Sequence, residues 1–238
     1  LSRARIVAVA SAKGSPGCSF VALGLAARLA QAGLATLLID ADAEAGSLAT
    51  SLDLARLEPS PGFTPLTEAA LAGATVDVSA GLGCLDLSGD PPEVDGRALA
   101  ELARLRYPAV VIDLGHRPAR FQRELVAAAD WLLWVVAPDR TGFERADRIL
   151  GGDALPRVGA GIVLNRLGPD RLSDAGSVLA ERHRLPLLAR LPESARGARD
   201  AARRCSSPHR AREFRQPFAE LARCVHPDIL GGGGERWP

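Results

Sequence analysis

An apolar run, Ile6-Val7-Ala8-Val9-Ala10, passes into Ser11-Ala12-Lys13-Gly14-Ser15-Pro16-Gly17-Cys18-Ser19-Phe20 and then into a helical pattern from Val21 to Ala32. No other stretch of the chain restricts its fold as much. A strand, a tight glycine turn and a helix N-terminus form a cradle for an anion. Consecutive backbone N–H groups point inward, and the helix dipole favours negative charge at that end.

The P-loop pattern G-x-x-x-x-G-K-[ST] uses this geometry, with its lysine on the outer phosphates and its hydroxyl on Mg²⁺. Here the closing triplet is Gly17-Cys18-Ser19, so the turn and the hydroxyl are present and the lysine is absent. Lys13 partly answers that loss. It is the single lysine among 29 lysines and arginines, and it stands at the start of the loop. A lysine is a compact point charge suited to a tight phosphate site, whereas arginine is a bulkier planar fork.

Lys13-Gly14-Ser15-Pro16-Gly17-Cys18-Ser19 resembles the deviant Walker A loop, K-G-G-x-G-K-[ST], of the MinD/ParA group of P-loop ATPases. The resemblance implies ATP and Mg²⁺ as cofactors and a nucleotide sandwich dimer, in which Lys13 reaches the partner's phosphates as a catalytic group. It implies nucleotide contacts from Gly14, Ser15, Pro16, Gly17, Cys18, Ser19 and Phe20, with Ser19 also on the metal. Two positions depart from the pattern: Ser15 replaces the second glycine and Cys18 replaces the lysine.

The run Leu34 to Ile39 reads as a strand buried on both faces, delivering Asp40 and Asp42 to its C-terminal end. Ligands bind at that edge of open α/β sheets, where a carboxylate can hold Mg²⁺ through water or orient an attacking water. Asp40-Ala41-Asp42 is similar to the family's D-x-D segment, which implies Asp40 near the magnesium shell and Asp42 positioning water. The continuation through Gly46 to Ser51-Leu52-Asp53-Leu54 resembles the CpaE/TadZ branch, from tight-adherence pilus systems. Ala109-Val110-Val111-Ile112-Asp113 reads as a Walker B strand, whose Asp113 faces the metal shell from opposite the loop. His116-Arg117-Pro118 follows where the family has a switch-like segment; His116 is either a phosphate contact or an exposed loop residue.

Further along, Thr67–Ala72 suggests a short helix, Gly83–Leu87 an edge strand and Leu99–Leu105 a helix. Phe121–Ala128 is helical and Trp131–Val136 is a buried strand, whose tryptophans read as core rather than a stacking platform. Thr141 opens a helix, Gly161–Leu164 is a strand ending in Asn165-Arg166, and a helix near Leu172–Arg182 leads to a last strand, Leu187–Glu193. An amide at a strand end offers both a donor and an acceptor to a base edge, or else caps a turn. The resemblance favours base recognition by Asn165 with Arg166, beside Pro192 of the closing I-P segment. Helices near Ala195–Arg204 and Arg210–Val225 precede a glycine tail.

Composition bounds what else the chain can be. With 238 residues, 47% hydrophobic and 24% charged, it is long enough to bury a substantial core. The expected organisation is one domain over 1–227 and a flexible tail over 228–238. No apolar run approaches the roughly 20 residues that span a bilayer, and the N-terminus carries no secretory pattern. The chain opens at Leu1 and contains no methionine, which leaves room for an upstream domain. Four widely spaced cysteines suggest neither a zinc site nor a disulfide framework, so a reducing cytosol is the default.

Net charge is only +1, but residues 182–223 hold eleven arginines against four acids. That basic end is either a nucleic-acid or anionic-membrane surface or a solvated helical face. The loop lacks G-x-G-x-x-G, which argues against a dinucleotide-dependent dehydrogenase.

Strands alternating with helices imply an α/β fold, a P-loop NTPase with a mostly parallel twisted sheet and helices on both faces. Losing the loop lysine removes a charge-assisted contact of about 1.5–3 kcal/mol. That equals an affinity loss on the order of 10- to 100-fold. The expectation is a cytoplasmic, CpaE/TadZ-like positioning or assembly factor with weak or absent ATPase. It would dimerise around Mg·ATP and bind a protein partner such as pilus secretion machinery, which would recruit it to membrane or cell pole. The alternatives are a ParA-like partition factor holding non-specific DNA through its basic C-terminal helices, and a nucleotide-free scaffold. Cys18 is either a helix-terminal thiol of lowered pKa, hence redox-sensitive, or a small filler.

Overall fold

The computed structural model describes residues 4–14, 16–43, 48, 52, 65–88, 93–116, 119–152, 159–168, 173–194 and 208–231. Eight strands form one sheet: β1 (Arg5–Ser11), β2 (Thr36–Asp40), β3 (Val76–Ser79), β4 (Leu82–Asp86), β5 (Ala109–Asp113), β6 (Trp131–Val136), β7 (Gly159–Leu167) and β8 (Leu187–Pro192). Their order is β3-β4-β2-β5-β1-β6-β7-β8. Every pairing is parallel except β3 with β4.

The helices among the described residues are α1 (Cys18–Gln31), α2 (Glu68–Ala74), α3 (Gly96–Arg106), α4 (Arg120–Ala128), α5 (Arg140–Leu150), α6 (Ser173–His183) and α7 (Arg212–Val225). Side-chain alternation along β1 divides the core in two. Ile6, Ala8 and Ala10 join the face that takes Leu99 of α3, Leu125 of α4, Ala146 of α5 and Leu179 of α6. Val7 and Val9 join the opposite face, filled by Leu25 and Leu29 of α1 and Phe214, Phe218 and Leu221 of α7. Helices therefore cover both faces, as the alternating pattern predicts. The central strands β2 and β5 are buried along their whole length, which is why they read as unbroken apolar runs.

One expectation is corrected here. The strand containing Cys84 is not at an edge, because a short strand outside it, Val76–Ser79, closes an antiparallel hairpin on it. Two tight turn residues join them, a connection open to antiparallel neighbours only. The Trp134 side chain lies in the apolar core, as expected. The proposed helix Ala195–Arg204 lies outside the described residues. The tail assigned to 228–238 begins inside a 3₁₀ turn, Pro227–Gly231, whose Ile229 packs against the core; residues 232–238 lie outside the description. Among the described residues no helix is long and apolar enough to cross a membrane.

Candidate functional site

Parallel pairing in register brings the strand ends together. Asp40 at the end of β2 is the Cα partner of Asp113 at the end of β5, and on its other side of Asp86 at the end of β4. β1 lies beside β5 and delivers the loop to the same edge. Separately coded segments therefore meet at the C-terminal edge of the sheet.

The start of the loop is held by two hydrogen bonds from Ser11. Ser11 N–H donates to the Gly115 carbonyl at 3.0 Å, and the Ser11 hydroxyl donates to the Lys13 carbonyl at 2.6 Å. Gly17, at φ 90°, is the N-cap of α1 and adopts a conformation that L side chains rarely hold. A Cβ there would also stand 2.4 Å from the Asn165 amide nitrogen. That amide donates to the Pro16 carbonyl at 2.7 Å, and the Asn165 oxygen accepts the Arg166 N–H at 3.0 Å. Asn165 is thus a strut between β7 and the loop. Arg166 beside it has φ 64°, strained for a non-glycine residue.

No side chain caps the first turn of α1, and no acidic residue lies in it. The first N–H groups of a helix have no acceptor within the helix, and an anion can supply one. Cys18 is buried, its thiol donating to the Gly115 carbonyl at 3.6 Å. Burial, and then the charge of Asp113, push the thiol far above its ordinary range. The lowered pKa is corrected: the helix terminus is outweighed by desolvation, and Cys18 is the neutral small filler. Lys13 is half-buried, its ammonium 2.6 Å from Asp139 Oδ2. Gly14 lies next to the His116 imidazole, about 3.7 Å from where its Cβ would be. Ser15 and the Arg117-Pro118 part of the switch-like segment lie outside the described residues.

Burial disfavours the charged form of two of the strand-end carboxylates. Asp40 is fully buried, accepting the Asp42 N–H at 3.2 Å and the Leu48 N–H at 3.1 Å. Burial, then the Asp113 charge, raise its pKa to about 7. Asp113 is also fully buried; it hydrogen-bonds the Ser19 side chain and accepts the Gly115 N–H at 3.2 Å. Burial raises it to about 6. Its Oδ2 is buried with no hydrogen-bond partner. Asp42 packs on Gly115, at φ 64°, where a Cβ would lie 2.4 Å from the Asp42 Cγ.

An orphaned carboxylate oxygen beside a hydroxyl, in a cluster short of positive charge, fits the shell of a divalent cation. Among the described residues no three His, Cys, Asp or Glu side chains converge as a complete ligand set. Such an ion would therefore take the rest of its shell from water and phosphate, the usual habit of Mg²⁺.

A cavity of about 260 Å³ opens on the other side of Gly17, lined by Phe20, Asn165, Arg166, Pro192 and Phe214 together with Glu193 and Ser194. Phe20 and Phe214 meet edge to face, ring centroids 5.0 Å apart, and Phe218 packs 6.0 Å from Phe20. The structure brings together Gly17, Phe20, Asn165, Arg166 and Pro192 here, and Cys18, Ser19, Asp40, Asp42 and Asp113 at the strand ends. It holds Lys13 apart, on Asp139.

Sequence reading missed several members. Gln122 of α4 is buried and donates from its amide to the Ala41 carbonyl at 2.9 Å, fixing the segment between Asp40 and Asp42. Its signal was a polar residue on the apolar stripe with Leu125 and Val126. Asp139 was legible as an N-cap, its Oδ1 accepting the Gly142 N–H at 2.7 Å, but nothing local links it to Lys13. Asp86 and Phe214 join only through tertiary packing. At the basic end Arg210, Arg212, Arg215 and Arg223 are exposed and interleaved with exposed Glu213 and Glu220, while Arg203 and Arg204 lie outside the described residues.

Comparison with known proteins agrees with this fold. The Aquifex aeolicus MinC:MinD cell division protein complex is similar over 99% of this chain and 99% of that one, with a TM-score of 0.76 and 19% identity. The septum site-determining protein MinD of Pyrococcus horikoshii OT3, complexed with Mg-ADP, covers 96% of this chain and 98% of its own, with a TM-score of 0.72 and 20% identity. A ParA family ATPase from Chlorobium tepidum TLS covers 95% and 98%, with a TM-score of 0.68 and 19% identity. Identities this low carry the fold alone. Among curated proteins no sequence matches. The profile described as the CobQ/CobB/MinD/ParA nucleotide binding domain matches residues 7–205, so the chain belongs to that family and has its P-loop NTPase fold.

Proposed function

We propose that this chain is a nucleotide-responsive positioning or assembly factor of the CpaE/TadZ kind, built on a deviant Walker A loop. It binds Mg·ATP, dimerises around it, and hydrolyses it weakly or not at all. The observation that carries the reading is the pairing of an intact cradle with a missing cation. Gly17, Ser19 and the uncapped first turn of α1 stand over Asp40, Asp42 and Asp113, while the position of the loop lysine holds the buried, neutral thiol of Cys18.

In this reading the α1 N–H groups bind the phosphates, and Ser19 with Asp113 and Asp40 hold the metal shell. Asp42, seated on Gly115 and steadied by Gln122 through Ala41, orients water. Bound Mg²⁺ supplies charge neutralisation between phosphate and carboxylate oxygens. Phosphoryl transfer depends on positioning and charge stabilisation, and Cys18 contributes no charge to either. Lys13 supplies a cation to the partner's phosphates only after leaving Asp139. A dimer formed in this way presents an outer surface to a protein partner, for which pilus secretion machinery is the expectation from sequence resemblance.

Calorimetric titration with ATP and Mg²⁺, repeated with Lys13→Ala, tests the binding. Micromolar binding weakened by the substitution is expected; no heat, with an unshifted melting temperature, would leave only a scaffold. Light scattering under saturating Mg·ATP tests the dimer, and a protein that stays monomeric removes it.

A further inference from the structure

α1 and α7 run side by side in register. Phe20 meets Phe214 with ring centroids 5.0 Å apart, and a Cβ on Gly24 would collide with the Phe218 ring. Each pair lies one helical turn beyond the last, so the next step sets Arg28 opposite Ala222 and beside Arg223. Both arginines belong to the last turns of their helices, at the end of the α1–α7 pair remote from the phosphate loop. Ala222 is small and buried, Arg28 is half-buried against it, and Arg223 is exposed. Among the described residues no carboxylate pairs with either guanidinium. Arg223 Nε donates to the Ala219 carbonyl at 3.1 Å, which leaves its terminal nitrogens to other acceptors. Burial, and then the charge of Arg223, lower the pKa of Arg28. An arginine in a last turn often satisfies the closing carbonyls of its helix. In α1 the backbone already does so: Ala32 N–H donates to the Arg28 and Leu29 carbonyls at 3.1 and 3.0 Å, and Gly33 N–H to that of Ala30 at 2.9 Å. Two like charges held together without a counter-charge cost free energy, and more so as they leave water. Guanidinium forks take compact oxyanions through paired N–H donors.

We propose that Arg28 and Arg223 form a site for a small free oxyanion of the phosphate or sulfate class, which bridges the closing turns of α1 and α7. The anion supplies the counter-charge that the pair lacks. The site is separate from the phosphate loop, since Ser19 lies about 14 Å away along the α1 axis. A nucleic-acid backbone fits it less well. Arg212 and Arg215 on α7 are interleaved with exposed Glu213 and Glu220, so that face offers no continuous positive track to a duplex. A half-buried guanidinium also admits a compact group more readily than a long rigid one.

The experiment is thermal melting of the whole chain in sodium phosphate, sulfate and chloride at matched ionic strength. It is repeated for Arg28→Met, Arg223→Met and Ser19→Ala; methionine keeps an apolar stem and removes the charge. Phosphate at about 100 times its dissociation constant should raise the melting temperature by roughly 5–10 °C over chloride. Either arginine substitution should remove most of that rise, whereas Ser19→Ala, in the phosphate loop, should keep it. In dilute chloride Arg28→Met should melt no lower than the unaltered chain, because it relieves the repulsion between the guanidiniums. No rise over chloride would overturn the site. So would a rise that survives both arginine substitutions, or one that Ser19→Ala abolishes, which would put the anion on the loop. A clear fall for Arg28→Met in dilute chloride would mean that the fold already compensates the pair, and would also overturn it. A labelled random duplex that binds through both arginines while phosphate gives no rise would assign them to a nucleic-acid surface instead.

Discussion

The Lys13 ammonium and the Asp139 carboxylate lie 2.6 Å apart, and the second oxygen of the same carboxylate caps α5 through the Gly142 N–H. A lysine so held cannot also cross a dimer interface. Asp139→Asn keeps a capping oxygen and removes the charge. A partly exposed pair contributes about 0–1 kcal/mol, so the melting point should barely move. The dimer fraction at fixed Mg·ATP should rise. Asp139→Ala should cost about 1 kcal/mol more through the lost cap. Light scattering and thermal melts read both, and unchanged dimerisation in Asp139→Asn would mean that the pair restrains nothing.

The carboxylate row gives the ligand-free protein a specific pH response. Burial and the neighbouring Asp113 charge raise Asp40 to about 7, and burial raises Asp113 to about 6. In the unfolded chain both titrate near 3.9. Between about pH 4 and 7 the folded state therefore binds more protons than the unfolded state. Stability falls as pH rises through that window, and the loss is complete above about 7. The melting temperature should decline from about pH 5 to 8 and decline less in Asp40→Asn. A flat or rising profile, or an equal slope in the variant, would contradict this.

α1 and α7 approach closely at one point. A Cβ on Gly24 would stand 2.1 Å from the Phe218 ring, which is fully buried. Gly24→Ala should cost about 1–3 kcal/mol in urea unfolding, as overpacking does. Adding Phe218→Leu should return part of that loss, a coupling visible in a double-mutant cycle. Strict additivity would place the strain elsewhere.

Thiol chemistry separates the described cysteines. Burial raises both Cys18 and Cys84, the latter to about 12, whereas Cys224 is exposed. Iodoacetamide on the native protein should label Cys224 and spare the other two, as read by peptide mass spectrometry. Labelling of Cys18 at the Cys224 rate would revive a redox role.

How much of this was legible depends on how local the signal is. β1, the loop and α1 are written in consecutive residues, and the helix differs from its expected start only by beginning at Cys18. β5 ending at Asp113 was readable because a strand buried on both faces has no polar alternation to confuse it. The hairpin strand β3 was not, since Val76-Asp77-Val78-Ser79 is too short to stand out from a loop. The electrostatics were legible in kind but not in sign. Placing Cys18 at a helix N-terminus suggested a lowered pKa, and only the depth of the site and the aspartates around it reverse that. Contacts such as Lys13 with Asp139, or Phe20 with Phe214, join segments far apart in the chain and leave no trace in either one.

The aromatic wall of the base cavity has a temporal side. One ring, Phe20, belongs to the first helix and the other, Phe214, to α7, with Phe218 lodged over Gly24 to seat them. Contacts between distant segments form late, since the intervening chain must be ordered first. On a ribosome the phosphate loop emerges well before α7, and its cleft lacks a side until Arg212–Val225 has been made. If the proposed reading holds, a base can be gripped only once α7 has been made, and chains stopped before it would carry the loop without that wall.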